Sequence, residues 1–167
     1  MHPLFLLSVW LHILAASTWI GGMFFLVLVV VPWLRHGGRE QAGSFLRETG
    51  PRFRTVSWAC LGLLLVTGLF NAWVRGVRLS DFVGAEGLSP YHKILSWKVG
   101  VFVAVLLVSS IHDFVIGPRA TRAIVRDPVS ATTIGLRRNA SLLGRLNALL
   151  ALVLVALAVT LVRGLPW

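Results

Sequence analysis

A few side chains in this 167-residue chain, 56% of it hydrophobic, have chemistry that apolar neighbours lack. They are His12, Met23, Cys60, Asn71, His92, Lys98, His112 and Asp113. Imidazole nitrogen is a ligand for first-row transition metals, and thioether and thiolate sulfur suit the softer ones. His12 and Met23 stand eleven residues apart, about three turns at ~3.6 residues each, so on a helix both point the same way. Lys98 and His112 are fourteen apart and likewise share a stripe, with His92 off it. By residue type, His12, His92, His112, Met23 and Cys60 are the candidate metal ligands. His12, His92, Lys98 and Asn71 are the candidates for holding a cofactor.

The elements that must position these groups are apolar. Four long runs, Leu4–Trp33, Val56–Val74, Ile94–Ile116 and Leu142–Val162, each reach the roughly 20 residues a helix needs to cross about 30 Å of hydrocarbon. Lipid leaves no water for backbone groups, and runs of this length satisfy them as helices rather than tilted barrel strands. The expectation is an all-α polytopic membrane protein, an antiparallel four-helix bundle in a single domain over 1–167. Its helices are placed at about 4–33, 54–75, 91–116 and 142–163. The first run lacks a basic leader and is too long for a cleaved signal, so it counts as a helix of the bundle.

Arginines orient the chain. Arg35, Arg39, Arg47, Arg52 and Arg54 lie between runs one and two, and Arg119, Arg122, Arg126, Arg137 and Arg138 between runs three and four. The other side carries Arg75, Arg78 and Arg163. The asymmetry places both termini outside and both Arg-rich segments in the cytoplasm of a bacterial inner membrane. The net charge of +10 is read as topology and attraction to anionic lipid, with nucleic acid excluded as a partner.

With the helix midpoints near Ile20, Leu64, Val103 and Val153, a rise of about 1.5 Å per residue gives depths. His12 lies about 12 Å above the centre, Asn71 about 10 Å and Lys98 about 8 Å, with His92 at the outer interface. These form an outer polar layer, in which His12 is expected to face Asn71 and Lys98. An inner layer holds His112, Asp113 and Asn147, with His112 about 26 Å from His12 in depth. Met23 and Cys60 fall between the layers. The structural alternatives are a hydrogen bond to a neighbouring helix for His12, snorkelling for Lys98 and an interfacial pair for His112–Asp113. Met23 and Cys60 alternatively fill gaps. Gly21–Gly22, Gly62 and Gly68 read as sites of close helix approach. Both Pro32 and Pro118 follow an apolar run and precede basic residues, a hint of two duplicated hairpins. A single cysteine excludes a multi-thiolate site, and no Walker loop, dinucleotide fingerprint or Ser–His–Asp spacing is present, so a non-enzymatic role is expected.

The segments H-I-L-A-A-S-T-W-I-G-G, R-F-R-T-V-S-W-A-C-L-G-L-L-L-V-T-G-L-F-N-A-W and L-S-W-K-V-G resemble the first three helices of the CopD family of bacterial copper-resistance membrane proteins. More distantly the chain is similar to HemJ, a haem-containing protoporphyrinogen oxidase in which a histidine also precedes a tryptophan by seven, as His12 precedes Trp19. The first resemblance implies copper handling, in uptake or resistance. His12, then Met23 and Cys60, then His112 would form a ladder of weak sites, supplied by a periplasmic copper donor. The second implies haem b, for which a single iron needs His12 with His92, or one histidine with another ligand such as Lys98. A structural or assembly subunit of a larger membrane complex, or a homo-oligomer, is the third reading.

Overall fold

The computed structural model describes residues 2–36, 39–82, 89–127 and 129–164. Residues 83–88 of the outer connection lie outside the described residues. Helix α1 (His2–Phe25) passes through a π turn (Leu26–Val30) into α2 (Val31–His36). Helix α3 (Arg39–Val74) is followed by a 3-10 turn (Leu79–Phe82) and α4 (Pro90–Ser110). A second π turn (Ile111–Ile116) leads into α5 (Gly117–Arg126), and α6 (Ala131–Arg163) ends the described chain. Among the described residues there is no strand, and four helical stretches are long and apolar enough to cross a membrane: His2–Trp33, Arg47–Val74, Pro90–Arg126 and Ala131–Arg163. The architecture is an all-α helical bundle.

The helices run farther than the apolar stretches that announce them. Helix α3 begins at Arg39 and continues through Pro51, and α6 begins at Ala131, eleven residues before the apolar run at Leu142. Hydropathy measures how much of a helix meets lipid, whereas arginine and glutamate are good helix formers that extend it into water.

Both π turns end two residues before a proline, Pro32 and Pro118. Proline lacks an N–H, and its ring crowds the carbonyl four residues back. Widening the preceding turn relieves that crowding without ending the helix. The recurrence in spans one and three bears on the duplication hinted at by the sequence, since α1 packs on α3 and α4 packs on α6 as two hairpins.

The buried stripe of α1 is Ser8, Ala15, Trp19 and Met23, spaced by whole turns, with half-buried His12 between the first two. Trp19 is 3% exposed and Met23 6%. They meet Leu61 and Leu64 of α3, Val105 of α4 and Ala148 and Ala151 of α6 in the central core. Large apolar residues such as Leu4, Trp10, Leu69, Trp97 and Leu107 point outward, as lipid-facing positions do. The core therefore forms an apolar plug at mid-bundle, with polar layers on either side.

Gly22 is where α1 and α3 approach closely: a Cβ there would come 2.9 Å from the Phe53 ring. Gly21 and Gly62 face open space, and at Gly68 a Cβ would sit 3.5 Å from His12 Cε1.

Candidate functional site

In the outer layer, the imidazole of His12 is tied across the helix interface to Thr67, with Nδ1 2.7 Å from Oγ1. The same hydroxyl lies 2.6 Å from the carbonyl of Leu63. A hydroxyl has one proton, and a carbonyl can only accept, so that proton goes to Leu63. His12 must then donate Nδ1–H to Thr67, which leaves the lone pair on Nε2. A ring nitrogen bound to an acceptor on one side and bare on the other is how proteins orient an imidazole ligand.

Around His12 the layer is polar but loosely filled. Among the described residues, Ser8, one turn earlier on the same face of α1, has a buried Oγ with no partner, and Asn71, one turn beyond Thr67, has a buried Oδ1 with none. A buried acceptor or donor left unpaired costs roughly 1–3 kcal/mol. Lys98 is half-buried and within electrostatic reach of His12, and Arg75 within reach of Lys98.

His92 stands apart. Its Nδ1 lies 2.7 Å from Ser89 Oγ, the cap of α4, and its Nε2 lies 3.5 Å from Asp81 Oδ2. Both ring nitrogens are thus engaged in tying the 3-10 turn to the start of α4. His12 and His92 thus have different partners in the structure.

The inner layer is built around Asp113. Its Oδ2 accepts a hydrogen bond from Trp58 Nε1 at 2.9 Å, and its Oδ1 accepts one from His112 Nδ1 at 2.9 Å. Arg54 Nη1 reaches the Asp113 carbonyl at 3.4 Å and lies over the Phe114 ring. Here too the imidazole donates Nδ1–H, since a carboxylate oxygen can only accept. Neighbouring residues on an α-helix point about 100° apart; the π turn brings this pair together. Gly117 makes the turn feasible: its N–H bonds back to the His112 carbonyl, and a Cβ on it would sit 2.9 Å from that oxygen. Nearby in sequence, Ser109 accepts a hydrogen bond from Asn147 of α6 at 3.0 Å, while Asn147 Oδ1 and Ser57 Oγ are buried without partners among the described residues.

Met23 is in the central plug, and half-buried Cys60 packs against it. Among the described residues, no group of three or more His, Cys, Asp or Glu side chains converges as a metal cage. The bundle thus offers isolated donors at successive depths. Sequence reading did not single out Thr67, Trp58 or Arg54 as partners. The signal was present as spacing: Thr67 and Asn71, like Arg54 and Trp58, are four residues apart and share a helix face.

Four apolar helices bracketing two polar layers define a multi-pass membrane protein. The chain belongs to the family described as a domain of unknown function, DUF4149, whose model matches residues 14–127. That stretch includes Thr67, Lys98, His112 and Asp113, and begins two residues after His12. The chain is similar to an uncharacterized protein of Aquifex aeolicus, 34% identical over 166 residues that make up 98% of this chain and 97% of that protein. It is also similar to the copper transport protein CutJ of Bacillus subtilis, 29% identical over 126 residues. That alignment covers 75% of this chain and 22% of CutJ. No solved structure matches the chain.

Proposed function

We propose that this protein handles copper in a bacterial cytoplasmic membrane, in the manner of the CopD family, with copper as cargo rather than as a resident cofactor. The hydrogen-bond arithmetic at His12 carries the reading: Thr67 holds the ring by Nδ1 and leaves Nε2 available inside the bundle. Likeness to a protein named for copper transport supports the choice of metal. Imidazole suits copper, and Met23 and Cys60 supply the softer donors that Cu(I) favours at mid-depth. His112, held by Asp113, is the last donor on the inner side.

Donors taken singly bind weakly, and passage through a membrane requires sites that release as readily as they capture. On this reading both termini lie outside, the Arg-rich segments lie inside, and a periplasmic copper donor loads His12.

Copper accumulation in cells expressing the protein tests the proposal. His12→Ala should abolish it, and Met23→Leu should weaken it while circular dichroism stays unchanged. Uptake indifferent to His12, or a haem Soret band in the purified wild type, overturns it.

A further inference from the structure

A second polar feature lies away from the two layers, where the third span leaves the apolar zone. Arg119, Arg122 and Arg126 recur at three and four residues on α5, so they share one face of that helix. With Ala123, Asp127, Ser130, Thr132 and Thr133 they line a cavity of about 400 Å³ between α5 and the start of α6. The opposite face of α5 is anchored by buried Ala120.

The charge in this cavity is unbalanced. Among the described residues no ion pair engages any of the three arginines, and Arg122 only touches the Pro118 carbonyl. The one carboxylate in the lining, Asp127, accepts from the backbone of Val129 at 3.1 Å. The hydroxyls of Ser130 and Thr133 are spent on cap bonds within the connection. Among the described residues, three guanidiniums therefore line this space against a single carboxylate, which leaves it an excess of positive charge.

Its surroundings say which anion suits it. Val125, Val129 and Ile134, each next in sequence to a residue of the lining, are 56–78% exposed. A free phosphate or nucleotide has no use for such a rim, whereas a phospholipid brings an anionic headgroup and acyl chains together. Guanidinium forks match phosphate oxygens in pairs, and basic pockets at helix ends are known to hold lipid headgroups.

We infer that the α5–α6 cavity is a binding site for the phosphate headgroup of an anionic phospholipid. It stands independently of the copper reading and holds for either orientation in the membrane, since headgroups line both surfaces.

Retention of phosphatidylglycerol by the full chain, followed by native mass spectrometry after transfer from mixed phosphatidylglycerol–phosphatidylcholine vesicles, tests this. At about 1 kcal/mol per arginine, the variant carrying Arg119→Gln, Arg122→Gln and Arg126→Gln should hold phosphatidylglycerol on the order of a hundredfold more weakly. Arg137→Gln with Arg138→Gln, outside the cavity, should change retention little, and unaltered circular dichroism keeps the comparison valid. The lysine triple variant keeps the charge but loses the forks, and should fall between wild type and the glutamine variant. Equal losses from the two glutamine variants, or displacement of the lipid by inorganic phosphate alone, overturn the inference.

Discussion

His12 and His112 reach the same chemical state by opposite means. Each donates Nδ1–H to an oxygen. His12 depends on a residue fifty-five positions away on another helix, and so on α1 and α3 being packed in register. His112 depends on the next residue in the chain, and so on the local winding of its own helix. The outer imidazole reports on tertiary packing and the inner one on backbone geometry. The orienting groups differ as well: a neutral hydroxyl for His12, and for His112 a carboxylate that is itself held by Trp58.

The comparison can be broken most directly at Thr67. Loss of a residue that orients a metal-binding imidazole typically costs 10–100-fold in affinity. Thr67→Val removes the acceptor while keeping the shape, so copper uptake into proteoliposomes should fall by about that factor. Thr67→Ser should restore most of it; equal uptake by the valine variant would mean that Thr67 does not orient the ring.

Asp113 sharpens the contrast from the other side. Asp113→Asn keeps an oxygen acceptor but removes the charge that makes the hydrogen bond strong, so uptake should drop by about tenfold, toward the low end of that range. Trp58→Phe, which deletes only the donor behind the carboxylate, should have a smaller effect in the same assay. If it matched Asp113→Asn, the tryptophan would be the group that matters.

The smallest expected change is at Gly117. A methyl group 2.9 Å from the His112 carbonyl forces the backbone to move, which for an overpacked site costs typically 1–3 kcal/mol. Gly117→Ala should lower the thermal midpoint in detergent and disturb the inner imidazole while leaving His12 ligation intact. Two-site NMR of labelled histidines separates the two responses, and a uniform shift of both rings would contradict the local origin of the inner pair.

The number of spans was legible in the sequence because apolar length is a one-dimensional quantity. Rotation was not. Depth arithmetic placed Asn71 and Lys98 at the level of His12, yet the hydroxyl that meets the ring belongs to Thr67, one turn away. Of the adjacent glycines in the first span, only the structure distinguishes Gly22, set against Phe53, from Gly21, which faces open space. The π turns were hidden because L-V-L-V-V and I-H-D-F-V-I look like any apolar helix. The prolines that follow each were the visible clue, noted for the repeat they suggested rather than for the widened turn they require. The helical extensions across arginine-rich stretches escaped for a different reason: hydropathy marks where lipid is, and those residues remain helical outside it.

The π turn at Ile111–Ile116 also fixes the angular phase of everything beyond it. Each residue of an α-helix turns the chain by about 100° and advances it about 1.5 Å. The turn behaves as one spare residue wound into a screw. Excising it would retract α5 by a single step and swing its arginine face through roughly a quarter-turn, away from Ser130 and Thr133. The pairing of His112 with Asp113 and the aim of Arg119, Arg122 and Arg126 are thus settings of the same screw.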